Sequence, residues 1–346
     1  MMLKRQTLVN ITAMLCSRPP KASKTIGALL GITLCAWMLG PASANAQTYP
    51  NRPIKVVVPF PPGGPTDGMA RIISERLGAV LGQPIVIENR GGAGGGIGGK
   101  FVAEADPDGY TVLMTPGGPL TTGPAVNPNI GYDPAKVFAS VGELIETPTI
   151  ISVSPSLPAT SMAEVVSYAK ANPGKLKWGS QGFGTAPHLL AEMFKLEAGI
   201  NIVHVPYRGT GPLLNAILAG EVQIIADPST TSLPYIQDGK LRPIAIASNL
   251  RDPKLPDVPT VTEAGFPKLQ SPFWLAVVSP AGTPRAIIIK LNGAFREALA
   301  VPQTRARLDA LGAEVKIGTP EDLDQMLARE RAQWTALVKA ANIQAE

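Results

Sequence analysis

The chain has 346 residues, with 31 Lys+Arg against 26 Asp+Glu and a formal charge of +5. Lys4, Arg5, Arg18, Lys21 and Lys24 all fall in the first 46 residues, which hold no acid, so the remaining 300 residues carry 26 bases against 26 acids. A neutral body gives no electrostatic case for a nucleic-acid or anionic-membrane partner. Both cysteines, Cys16 and Cys35, also lie in that first segment, which leaves the body without a disulfide, a thiol nucleophile or a thiolate metal ligand.

The first segment itself has a basic start, an uncharged apolar run from Ile26 to Gly40, then Pro41 and the small-residue end Ala44-Asn45-Ala46. That order predicts a signal peptide over 1–46, cleaved near Ala46, and a working protein in the periplasm. The apolar run is too short for a membrane span of roughly 20 residues. Leu34 immediately before Cys35 fits poorly with a lipid-modified cysteine, which favours a soluble protein. The 300 residues that follow are enough for two cores.

Short β-branched runs alternate with stretches at helical spacing along the body, predicting an α/β architecture with largely parallel strands. In chain order the strands are expected at Ile54 to Val58, Ile85 to Glu88, Thr111 to Met114, Ile150 to Val153, Leu176 to Gly179, Ile202 to Val205, Val222 to Ala226, Arg242 to Ala247 and Trp274 to Val278. Helices are expected at Gly68 to Leu81, Ser161 to Ala171, His188 to Ala198, Gly211 to Ala219, Pro284 to Ala300 and Pro320 to Ala340. Proline-rich joins around Glu146-Thr147-Pro148 and from Leu255 to Pro272 are candidate crossings between two lobes.

Three strand ends run straight through glycine into a helix: Val58 to Asp67, Gly179 to His188 and Val205 to Pro212. Glycine lets a ligand approach the backbone, and a helix start offers unpaired N–H groups carrying partial positive charge. Such a junction binds an anion without a charged side chain. Thr185 and Thr210 are plausible caps, and Pro187 and Pro212 fit a first turn. Ligands collect outside the carboxyl ends of parallel strands, so the three loops are expected to face a cleft.

Other chemistries fit less well. Gly94, Gly96 and Gly99 satisfy G-x-G-x-x-G, but the preceding strand ends near Glu88, too far back for the tight dinucleotide turn. No P-loop occurs, and no cofactor is expected. Ser180 is the serine to test for hydrolysis, with His188 eight residues on, yet Trp178-Gly179-Ser180-Gln181-Gly182 lacks the first glycine of G-x-S-x-G. The two histidines, His188 and His204, are not at metal-ligand spacing, so neither a catalytic set nor a metal site is expected. Asp67 reads either as an acid/base group or as a helix-start carboxylate accepting backbone N–H bonds.

With these strings in view, the body closely resembles the Bug-type extracytoplasmic solute receptors of tripartite tricarboxylate transporters. The resemblance runs from Tyr49-Pro50-Asn51-Arg52-Pro53 through Val58-Pro59-Phe60-Pro61-Pro62-Gly63-Gly64-Pro65-Thr66-Asp67, Glu88-Asn89-Arg90-Gly91-Gly92-Ala93-Gly94-Gly95 and Asp106-Pro107-Asp108-Gly109-Tyr110. It continues through His204-Val205-Pro206-Tyr207-Arg208-Gly209, Pro256-Asp257-Val258-Pro259-Thr260 and Pro280-Ala281-Gly282-Thr283-Pro284. It implies a two-lobed periplasmic binding protein fold with a ligand cleft between the lobes, built from 47–146 with 270–346 and from 147–269. It further implies a monomer that closes on a small carboxylate (a di- or tricarboxylate, an acidic amino acid or an aromatic acid) and hands it to membrane permease subunits. Carried over, the ligand-binding residues are Phe60, Gly63, Gly64 and Asp67 on one lobe and Ser180, Phe183, Gly184, Thr185, Tyr207 and Asp227 on the other. Phe183 stands where smaller or polar residues are common, and either stacks on an aromatic acid or packs between the lobes. The rival readings are an exported carboxylic-acid hydrolase using Ser180 or His188, and a receptor that signals to a sensor.

Overall fold

In the computed structural model, which describes residues 49–343, the strands in chain order are β1 (Ile54–Val58), β2 (Ile85–Asn89), β3 (Thr111–Thr115), β4 (Phe138–Thr147), β5 (Thr149–Val153), β6 (Lys177–Ser180), β7 (Val203–Pro206), β8 (Ile224–Pro228), β9 (Arg242–Ile246), β10 (Phe273–Pro280) and β11 (Glu314–Val315). The expected signal peptide over 1–46 lies outside the described residues. The strands form two sheets, a six-stranded one in the order β11-β4-β10-β3-β1-β2 and a five-stranded one in the order β7-β6-β8-β5-β9.

Each sheet has a core that follows from its sequence. Ile54, Val56 and Val58 alternate along β1 onto one face and meet Met69, Ile73 and Leu77, spaced four apart along the helix Pro65–Leu81. In the five-stranded sheet, Trp178 is fully buried with its ring centroid 5.9 Å from that of Phe194 on the helix Ala186–Ala198. The last helix, Pro320–Ala340, serves both sides: Leu323 and Leu327 pack with Trp274 and Leu120, while Trp334 and Val338 join the core around Trp178. Among the described residues no helix is long and apolar enough to cross a membrane.

The expectation of largely parallel strands needs correction. β1 pairs in parallel with β2 and β3, and β6 with β7 and β8, but β10 with β3 and β4, β11 with β4, and β5 with β8 and β9 are all antiparallel. The cause is the crossing between sheets. β4 ends at Thr147 in one sheet, Pro148 turns, and β5 begins at Thr149 in the other; the return from β9 delivers β10 alongside β4, from Phe273↔Thr147 to Pro280↔Phe138. Strands joined by crossover helices run parallel, whereas strands that change sheets enter against their neighbours.

Candidate ligand cleft

β1 delivers the first loop, Pro59 to Gly64, into the helix Pro65–Leu81, with proline at the first helical position, where a missing N–H costs nothing. The helix therefore starts three residues before the expected Gly68. Asp67, in its first turn and 3% exposed, turns back on the loop. Its Oδ2 accepts from Gly63 N (3.0 Å) and Arg71 Nε (2.9 Å), and its Oδ1 from Arg71 Nη2 (2.9 Å) and Asn89 Nδ2 (3.0 Å). Asn89, the last residue of β2, also donates to Phe60 O (3.0 Å), so one carboxylate ties two strand ends to the loop. Burial works to raise the Asp67 pKa, but the bonds from Arg71, Gly63 and Asn89 outweigh it and hold the group below the usual carboxylate range. Asp67 thus takes the helix-start place and contributes no side chain to the cavity surface.

The second loop leaves β6 at Ser180, which is fully buried. Ser180 Oγ lies 2.7 Å from His204 Nε2 and 3.1 Å from Gly182 O. Gly182 N donates to Ser180 Oγ (3.3 Å), and Gly184 N donates to His188 Nδ1 at 3.3 Å. Phe183 stacks on His188 (4.4 Å between centroids), which stacks on His204 (4.2 Å). Burial, with repulsion from His204 and Lys195, pushes His188 down to about 3, and burial with Lys195 lowers His204 to about 4, so both rings are neutral packing groups. Thr185 sits at the N-cap of Ala186–Ala198, but its hydroxyl donates to Gly182 O (2.7 Å) instead of capping. Thr210 is already helical; Gly209, at φ +99°, is the cap, a conformation suited to glycine.

The loops meet at an inner cavity of about 120 Å³. Four helices start on it: Pro65–Leu81, Ala186–Ala198, Thr210–Leu218 and, through Pro228, Ser229–Gln237. No charged side chain lines it; its polar side chains are Thr66, Thr149, Gln181, Thr185, Thr210 and Ser271. An anion here would meet N–H groups and hydroxyls in a low-dielectric pocket. A larger outer cavity of about 820 Å³ shares Phe60, Pro61, Pro62 and Gln181 with the inner one and adds Phe183, Tyr207 and Arg208.

Of the ten residues expected from sequence, Phe60, Gly64 and Thr185 line the inner cavity, and Phe60, Phe183 and Tyr207 the outer. Gly63, Asp67, Ser180, Gly184 and Asp227 line neither. Gly63 and Gly184 shape loops at φ +81° and +74°. Asp227 is completely buried at the end of β8, bonded by Gln181 Nε2 and Thr231 Oγ1, and burial, against those two bonds, raises its pKa to about 7. Gln181 was passed over, although it sits at a parallel-strand end between two residues that drew notice; that position was the available signal. The fourth helix start was hidden by Pro234 inside Ser229–Gln237. Among the described residues, no group of His, Cys, Asp or Glu could hold a metal ion.

Two sheets facing a cleft lined by helix starts define the class of two-lobed periplasmic solute-binding proteins. The sequence profile of the tripartite tricarboxylate transporter family receptors matches residues 69–343, and the chain belongs to that family as a Bug-type extracytoplasmic solute receptor. Protein BugT of Bordetella pertussis is 37% identical over 299 residues, spanning 86% of this chain and 92% of BugT. The solved periplasmic binding protein BugD is 36% identical, with a TM-score of 0.81 over 86% of this chain and 100% of its own. MatC from Rhodopseudomonas palustris, solved with bound malate, is 36% identical with a TM-score of 0.80 over 84% and 100% of the two chains. An R. palustris protein solved with adipate is 37% identical with a TM-score of 0.81 over 86% and 99%.

Proposed function

We propose that this protein, exported to the periplasm after loss of residues 1–46, captures a small carboxylate in the inner cavity and delivers it to the membrane subunits of a tripartite tricarboxylate-type transporter. The observation that carries this is the convergence of four helix starts on one cavity that no charged side chain lines. The malate and adipate in the similar solved proteins support the ligand class. We assign 47–146 with 270–346 to one lobe and 147–269 to the other, in keeping with which sheet each strand joins. Closure of the lobes buries the ligand and forms the outer surface that a permease reads. Phe60, Gly64 and Thr185 contact the ligand; Asp67, Gly63, Ser180, Gly184 and Asp227 hold the loops that do.

The melting temperature of the purified protein against di- and tricarboxylates, acidic amino acids and aromatic acids tests this. A ligand at about 100 times its Kd adds roughly 2.7 kcal/mol of stability. A selective rise supports the reading and names the class, whereas turnover of a bound carboxylate would make the protein an enzyme instead. Against the hydrolase, Ser180 has no exposed surface through which a substrate could reach its hydroxyl.

A further inference from the structure

Beside the two crossings between the sheets lies a groove of about 530 Å³, with Thr147, Pro148, Gln270 and Pro272 in its lining. Asp252 and Lys254 line it too, the first buried and the second exposed. Asp252 Oδ2 accepts from Ser229 Oγ (2.8 Å) and its Oδ1 from Lys254 N (2.9 Å). The Lys254 ammonium reaches past this carboxylate and donates to Asp309 O (2.5 Å) and Ala310 O (2.9 Å), at the end of the helix Pro302–Ala310. The last carbonyls of a helix lack partners within it and carry partial negative charge, which suits a cation. Lys254 follows β9 of the five-stranded sheet, and that helix leads into β11 of the six-stranded sheet, so these bonds cross from one side of the molecule to the other. Gly312 packs at the same place, where a Cβ would lie 3.0 Å from Ser229 Oγ.

The inner end of this chain of bonds is the ligand cleft. Ser229 is buried, opens the helix Ser229–Gln237 and follows Pro228, which lines the inner cavity. Hydrogen bonds therefore run from the cavity wall to the opposite side: Ser229 to Asp252, the Lys254 amide to Asp252, and the Lys254 ammonium to the helix end. The rim of the cleft is shut in the same structure, with the Phe183 carbonyl oxygen so near Gly94 that no Cβ would fit. A contact made between two moving parts in one of their arrangements biases them toward that arrangement.

We propose that Ser229, Asp252 and Lys254 form an interlobe clasp that couples the inner cavity to the hinge, so that ligand capture and lobe closure favour each other. The proposal rests on the closing-receptor reading above. Such coupling is reciprocal, so what loosens the clasp also loosens the ligand.

Spin labels test it. No cysteine follows Cys35, so the exported protein takes labels only where they are placed, at Ser167→Cys on the helix Met162–Ala171 and Glu297→Cys on the helix Arg285–Ala300, both exposed. The distance between them is measured without ligand and with malate or adipate, the closed population being the one at the distance this structure sets. Lys254→Met keeps most of the stem and drops the charge. It is expected to lower the ratio of closed to open populations about two- to fivefold, the worth of a cation at a helix end, and to weaken whichever acid binds by up to the same factor. Asp252→Ala is expected to act in the same direction, with Lys254→Met adding nothing further to it. Lys240→Met is the control, because Lys240 bonds Asp238 two residues away. Distances unchanged by Lys254→Met overturn the proposal even if the melting temperature falls, since a bolt unrelated to closure would cost stability alone. Fully additive effects of the two variants overturn the coupling through Asp252. Should Asp252→Ala fail to fold, Lys254→Met, at an exposed residue, decides the matter. Binding of neither acid counts against the carboxylate reading, and the ligand-free distances then decide the clasp.

Discussion

On the six-stranded side of the cleft the loop from Pro59 to Gly64 is fastened by an ion pair, Asp67 with Arg71, whose guanidinium side chain is 55% exposed. On the five-stranded side the loop from Ser180 to Thr185 is fastened by neutral groups sealed inside: Ser180 on His204, Gly184 on His188, Gln181 on Asp227. Both solutions hold a glycine-containing strand–helix junction still, so that the helix N–H groups keep their aim. They differ in where charge is allowed. Arg71 reaches Asp67 from solvent, four residues along the same helix, and so introduces no charged side chain into the cavity. The second side has no such outer approach, and there the rings stay neutral because burial makes their protonation costly. The inner cavity is thus kept free of charged side chains from either direction.

The largest effect expected concerns the contact between the sides. A Cβ on Gly94 would come within 2.4 Å of Phe183 O, backbone against backbone. Gly94→Ala should therefore block closure, weakening carboxylate binding by at least tenfold, about 1.4 kcal/mol, and expanding the particle in solution scattering. Because Gly94 has φ +61°, alanine there is also strained. Gly199, at φ +59° with nothing within 4 Å of a new Cβ, supplies the matched control. Gly199→Ala should lose similar stability and keep full affinity. Equal affinity for both variants would show that the Gly94 contact plays no part in binding.

Next in size, Asp67→Ala removes the acceptor of Gly63, Arg71 and Asn89 at once. A loss of about 2 kcal/mol is expected in denaturant unfolding, from hydrogen bonds made to a charged group, together with weaker binding as the Phe60 loop loosens. A change below the error of the titration would mean that Asn89 alone holds the loop.

Two of the groups on the five-stranded side, Asp227 and His204, differ in their pH dependence. Asp227 has its pKa raised from 3.8 to about 7, so the folded chain holds a proton that the unfolded chain has lost, and wild-type stability falls as pH rises across that window. His204 has its pKa lowered from 6.5 to about 4; here the unfolded chain takes the extra proton, and stability falls as pH drops from 6.5. The slopes oppose each other, each up to about 1.4 kcal/mol per pH unit. Relative to wild type, Asp227→Asn should gain stability as pH climbs from 4 to 7, and His204→Gln as pH falls from 6.5 to 4. Thermal melts at pH 4.5, 6 and 8 check both signs.

The junctions were readable because glycine and proline mark where a strand meets a helix, and the runs around Val56 and Trp178 carry the branched and aromatic residues of buried strands. β4 went unseen. Its Gly142, Glu143 and Glu146 break the hydrophobic alternation, and the two glutamates are tolerated half-buried beside Lys316, burial being the main force raising Glu143 to about 7. The Pro302–Ala310 helix has only Thr304 and Leu308 buried, too thin an apolar stripe to register. Asp67 and Asp227 look alike in sequence; whether a carboxylate meets a ligand or a neighbouring amide depends on contacts such as Asn89 and Gln181 that no local pattern reveals.

Ser180→Ala should have the smallest effect on binding, and it separates receptor from enzyme most sharply. Ser180 Oγ touches Gly182 and His204, not the cavity, so its loss leaves the buried His204 Nε2 without its hydrogen-bond partner and costs about 1–3 kcal/mol of stability. Affinity should change by no more than about 1 kcal/mol, through whatever slack the Gly182–Gly184 turn acquires. A nucleophile would behave the other way, since turnover would vanish while folding stability stayed nearly constant. Measuring unfolding and carboxylate affinity on the same variant places Ser180 in one role or the other, because a buried fastening and a reacting group fail in different quantities.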